Sequence, residues 1–119
     1  MNNKILVVDD SALMRNLIKK ILIANNYNII GEASNGKEAV KLYQELKPDI
    51  VTMDITMPII DGIAALKNIK SIDSNAKVIM VTAMGQSWLV TEALKAGAID
   101  FIIKPFQEES VIKTIKNHI

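Results

Sequence analysis

Ile50-Val51-Thr52-Met53-Asp54-Ile55-Thr56-Met57-Pro58 is the stretch from which the fold is read. It opens on apolar and β-branched residues and meets a carboxylate at Asp54. Pro58 and Asp61-Gly62 then supply a turn, the pattern of a buried central strand. Asp54 therefore sits at the strand's carboxyl end. In an open parallel α/β sheet that end is where ligands bind, whereas elsewhere an Asp after a strand simply caps its loop. Both readings stay open on this stretch alone.

Toward the amino terminus, Ile5-Leu6-Val7-Val8 is another unbroken apolar run that ends in acids, Asp9-Asp10. From Ser11 the period becomes helical. Leu13, Leu17 and Ile21 recur beside Met14, Ile18 and Leu22, with Arg15, Asn16, Lys19 and Lys20 opposite, and either Asp10 or Ser11 can cap the helix. Asn28 to Ala33 reads as a second strand. Lys37 to Leu46 is a second helix with Ala39, Tyr43 and Leu46 inward and Lys37, Lys41 and Glu45 outward, closed by Pro48.

Beyond the Asp54 strand, Ile63 to Ile72 is a third helix and Lys77 to Thr82 a fourth strand ending in a hydroxyl. Gln86 to Ala96 is a fourth helix stopped by Gly97, Asp100 to Ile103 a fifth strand leading into Lys104-Pro105, and Glu108 to Ile119 a fifth helix. Regular alternation of short buried strands with helices implies right-handed crossovers, so the expected fold is α/β, a five-stranded parallel sheet with helices on both faces. An eight-unit barrel needs about twice this length.

At 119 residues the chain is one domain, expected to span residues 1–119 and long enough to bury roughly two thirds of its unfolded surface. Half of it is apolar and only 4% aromatic, so the core is aliphatic. Lacking cysteine, it has no disulfides, thiolate metal sites or Cys nucleophile. A net charge of +1 and no basic run longer than Lys19-Lys20 leave no nucleic-acid footprint. Neither a leader peptide nor a membrane span is visible, and the expected location is cytoplasmic.

If the sheet is parallel, Asp9, Asp10, Asp54, Thr82 and Lys104 share one rim. Three carboxylates in one cleft repel one another unless a cation lowers the local potential. Oxygen donors without His or Cys suit a hard ion, Mg2+ first and Mn2+ as a substitute, in a shell shared with phosphate oxygens. Lys104 can neutralise a carboxylate or clasp a phosphoryl oxygen, Thr82 offers a hydroxyl, and an Asp beside a divalent ion can attack phosphorus. These residues point to phosphoryl transfer onto a carboxylate. Taken singly, each keeps a plainer role: a cap for Asp10, a strand end for Thr82, a counter-ion for Lys104.

Val8-Asp9-Asp10, Met53-Asp54-Ile55-Thr56-Met57-Pro58, Asp61-Gly62, Val81-Thr82-Ala83 and Lys104-Pro105-Phe106 together resemble the receiver domain of bacterial two-component response regulators, its stand-alone chemotaxis members above all. The resemblance covers the whole chain. It implies a flavodoxin-like (βα)5 fold with strand order 2-1-3-4-5 and phosphorylation of Asp54 by a histidine kinase. It also implies Mg2+ held by Asp9, Asp10, Asp54 and the backbone carbonyl of Thr56, phosphoryl oxygens bound by Thr82 and Lys104, and a cis Lys104-Pro105 bond.

By the same resemblance Thr82 and Phe101 are the switch pair, and Phe101 lacks the hydroxyl of the tyrosine often found there, so burial alone chooses its rotamer. The output surface is the fourth helix, fifth strand and fifth helix, with Trp88, Val90, Thr91 and Phe101 as candidate contacts. Thr56 and Met84 stand where side chains influence hydrolysis, and Met84 cannot position a water, so slow self-dephosphorylation is expected. The implied partners are a kinase, the flagellar motor switch protein and a phosphatase, with no direct nucleic-acid or membrane contact and a monomeric state. Its only catalysis is its own phosphorylation and dephosphorylation. The alternative is a receiver cut from a larger, DNA-binding regulator; a last helix with no linker after it favours a free-standing protein if the chain is complete.

Rival families fit less well. A dehalogenase-like phosphatase needs a second acid where Thr56 stands, and Asp9-Asp10 would repel the phosphate of a flavin bound after the first strand.

Overall fold

In the computed structural model, which describes residues 3–119, strands and helices alternate from end to end. The elements are β1 Lys4–Val8, α1 Ala12–Ala24, β2 Asn28–Ala33, α2 Gly36–Leu46, β3 Ile50–Asp54, α3 Gly62–Ile72, β4 Val78–Ala83, α4 Ser87–Lys95, β5 Asp100–Lys104 and α5 Glu108–Lys116. All four strand pairs are parallel and the order is β2-β1-β3-β4-β5, as the resemblance implies.

Period-two alternation divides the core. Leu6, Val8, Val51, Met53, Val78 and Met80 face a layer shared with α2, α3 and α4, while Ile5, Val7, Ile50, Ile79, Val81 and Ile102 face a layer shared with α1 and α5. A sheet covered on both faces explains why its strands read as unbroken apolar runs.

Helix starts are chosen by short polar side chains. Ser11 Oγ accepts from the Met14 N–H at 3.3 Å, which settles the capping of α1 in favour of Ser11 over Asp10. Asn35 caps α2 through the Glu38 N–H, and the Glu38 carboxylate returns to the Ser34 N–H. Asp61 caps α3 through the Ala64 N–H at 2.9 Å.

Two expectations need correction. The apolar stripe of α1 is wider than its contact with the sheet: Ile18, Ile21 and Leu22 are buried, but Leu13 is 77% and Leu17 43% exposed. One helix face can meet only one sheet, and residues on the flank of the stripe are left outside. The last helix stops at Lys116 rather than continuing to Ile119. His118 is held instead by tertiary contacts, its ring 2.9 Å from the Asp100 carboxylate and its carbonyl accepting from Lys77 Nζ at 2.9 Å. Among the described residues no helix is long and apolar enough to cross a membrane.

Candidate phosphoryl-accepting site

Asp9, Asp54 and Lys104 continue the alternation of their own strands, following Val7, Thr52 and Ile102 by two residues. Register aligns them: Val8 pairs with Met53, so Asp9 lies beside Asp54 one step beyond. Each of Asp9, Asp10 and Asp54 offers a carboxylate oxygen, and these oxygens all lie within 4.8 Å of one another.

Asp9 is the anchor. At 1% exposure, it accepts from the Ser11 N–H at 2.9 Å with one carboxylate oxygen and from Lys104 Nζ at 3.0 Å with the other, and its carbonyl accepts from Arg15 Nη1 at 2.6 Å. Lys104 also reaches Asp54, 3.6 Å from its Oδ2, so one ammonium from late in the chain faces two carboxylates, one from its start and one from its middle. Asp10 is exposed at the mouth. The Lys104-Pro105 peptide bond is cis.

Burial raises the Asp54 pKa to about 6, the negative charge of Asp9 pushes the same way, and Lys104 opposes it. Asp10 adds a smaller repulsion, and the Thr56 backbone N–H stabilises the ionised form. A nearly buried carboxylate facing two more acids, with one ammonium among them, is under-compensated. A hard divalent cation fits this all-oxygen donor set, and Asp9, Asp10 and Asp54 are the residues that would hold it.

A family model described as the response regulator receiver domain matches residues 5–116. The chain belongs to that family. This receiver is 56% identical over 115 residues to the chemotaxis protein CheY of Thermotoga maritima, covering 97% of this chain and 96% of that one. It is 55% identical over 115 residues to the chemotaxis protein CheY of Bacillus subtilis, with the same two coverages. A crystal structure of a CheX-CheY-BeF3-Mg2+ complex from Borrelia burgdorferi superposes on it with a TM-score of 0.93 at 41% identity, covering 97% of this chain and 87% of that one.

The remaining site residues of the receiver divide. Thr82, buried at the end of β4, does not point its hydroxyl at a carboxylate; it donates to Gln86 Oε1 at 2.7 Å. Phe101, Val90, Thr91 and Thr82 line one groove of about 340 Å³ between α4 and β5. Phe101 is 36% exposed there, so its ring is not a buried core side chain. Trp88, 67% exposed, lies on α4 outside the lining of this groove, one helical turn before Thr91. Thr56 and Met84 present exposed side chains at the rim.

Two residues escaped the reading of the sequence. Gln86 has no strand-end position, and only its spacing of four from Thr82 across Gly85 hints at a contact. Gly62 looks like a turn residue, yet a Cβ there would lie 2.1 Å from the Asp54 carbonyl oxygen, so only glycine lets α3 start against the end of β3.

Proposed function

We propose that this receiver is a phosphorylation-activated switch of chemotaxis, taking a phosphoryl group from a histidine kinase onto Asp54. The observation that carries the reading is the convergence of Asp9, Asp10 and Asp54 oxygens within 4.8 Å, with Lys104 bridging Asp9 and Asp54.

In the forward step an Asp54 carboxylate oxygen attacks phosphorus and a P–O bond forms. The P–N bond to the kinase histidine breaks, and the imidazole leaves with the electron pair and takes up a proton. Mg2+, when bound by Asp9, Asp10, Asp54 and the Thr56 carbonyl, neutralises charge on the transferring group. Lys104 is placed to follow that charge, since an ammonium shared between two carboxylates can turn to a phosphoryl oxygen without being drawn from bulk water. Thr82 supplies the remaining donor by moving inward, and Phe101 follows into the space released. The altered α4, β5 and α5 surface then binds the flagellar motor switch.

Identity of 55–56% to chemotaxis relatives supports placing the switch in chemotaxis. A phosphatase that removes the group completes the cycle, in the cytoplasm. Incubation with radiolabelled acetyl phosphate and Mg2+ tests the acceptor. The wild type takes up base-labile label and Asp54→Asn takes up none; equal labelling of the variant refutes the reading.

A further inference from the structure

The turn after β4 carries a contact that phosphoryl transfer does not explain. Gln86 Oε1 accepts two hydrogen bonds, from the Thr82 hydroxyl at 2.7 Å and from the Ala83 N–H at 3.0 Å. Gly85, at φ +87° with open space where a Cβ would sit, reverses the chain so that the side chain of Gln86 returns to the strand end. That orientation has a local cost: Gln86 is the N-cap residue of α4, and α4 has no side-chain cap hydrogen bond. Among the described residues the Thr82 hydroxyl makes one other hydrogen bond, to the Ala83 carbonyl at 3.5 Å, a marginal contact.

Thr82 is 1% exposed, so water cannot readily replace the amide. One neutral oxygen thus satisfies a buried hydroxyl and the adjacent backbone donor, and both donors lie at the strand end next to Val81, the register partner of Asp54. Gln86 also lines the groove that holds Val90, Thr91 and Phe101.

We propose that Gln86 is a latch on the resting state: its side-chain oxygen occupies the Thr82 hydroxyl and the Ala83 N–H, and a phosphoryl group on Asp54 must take them from it. This rests on the reading of Asp54 as phosphoacceptor. A charged acceptor makes hydrogen bonds about twice as strong as a neutral amide does, so the phosphoryl group wins. The latch sets by how much, and its release frees the N-cap residue of α4 and one wall of the groove. Gln86 is a positioning residue, acting through Thr82, and the two arrangements of the turn are a two-state element biased from the acidic site.

The test uses beryllofluoride as the phosphoryl mimic, with 19F NMR of the bound species at fixed Mg2+. Gln86→Ala and Gln86→Met, which lack the acceptor, bind it with a midpoint about fivefold lower, the worth of roughly one neutral hydrogen bond. Gln86→Glu keeps an acceptor and has a midpoint no lower than the wild type. Calorimetric Mg2+ affinity without beryllofluoride stays unchanged in Gln86→Ala and Gln86→Met, which a merely structural role for Gln86 does not require. On a Thr82→Ala background the gain from Gln86→Ala falls by at least half. Wild-type midpoints in both Gln86→Ala and Gln86→Met, or a Gln86→Glu midpoint as low as theirs, overturn the latch alone. A wild type that binds no beryllofluoride, or an Asp54→Asn protein that binds it equally, overturns the phosphoacceptor reading as well.

Discussion

Above about pH 6, Asp54 carries a charge that its surroundings oppose, through burial first and Asp9 second. Because its folded pKa is raised from 3.8 to about 6, the native state holds this proton more tightly than the unfolded chain does. The resulting stability is full below pH 3.8 and is lost as pH rises through 6. Asp54→Asn, which never ionises, is expected to raise the melting temperature at about pH 8 more than at about pH 5 when Mg2+ is withheld. Equal shifts at the two pH values, read by calorimetry, would refute this account of the acid. Thr52, two residues earlier and 1% exposed, poses a simpler problem: its hydroxyl has no hydrogen-bond partner among the described residues. Thr52→Val keeps the branched shape and removes the orphaned group, so chemical denaturation should show a gain of about 1 kcal/mol. A loss of stability would mean that the hydroxyl has found a partner in solution.

Among the elements, the join of β3 to α3 is the least forgiving. The Gly62 N–H donates to the Ile55 carbonyl at 2.7 Å, and the position of a Cβ on Gly62 overlaps backbone at Asp54 and Ile55. Backbone cannot step aside as a flexible side chain can. Gly62→Ala is expected to cost about 3 kcal/mol and to weaken Mg2+ binding, because the strain falls on Asp54, a member of the acidic cluster. Urea melts and Mg2+ calorimetry check both parts, and a variant with wild-type stability would show that the loop yields. Helix α1 illustrates a different limit. Its periodicity located the helix correctly, but Leu13 and Leu17 belong to the same apolar stripe as Ile18 and Ile21 and still stand in solvent. Periodicity reports a face, and how much of that face is covered depends on the neighbouring layer.

Across the whole molecule, the acidic rim and the α4 and β5 groove are joined by the turn from Thr82 to Gln86, and Trp88 stands just past it. At 67% exposure Trp88 contributes little to the fold, so Trp88→Ala should change unfolding free energy by less than about 0.5 kcal/mol. If it anchors the motor-switch partner, the same substitution weakens binding of the beryllofluoride-activated protein to a flagellar switch peptide by about tenfold. Unchanged affinity would move the output surface onto the groove lined by Val90, Thr91 and Phe101. The alternation of buried strands with helices, and acids at the ends of the first and third strands, were legible from residue order because both are local: apolar period and strand end are properties of neighbours in sequence. Which cap starts α1, the exposure of Leu13, the closeness of Gly62 to Asp54 and the hold of Gln86 on Thr82 were decided only by tertiary structure. Each depends on a side-chain or backbone geometry, local for Ser11 and Gln86 and set by packed layers for Leu13 and Gly62, and a linear pattern names the partners without stating whether they meet.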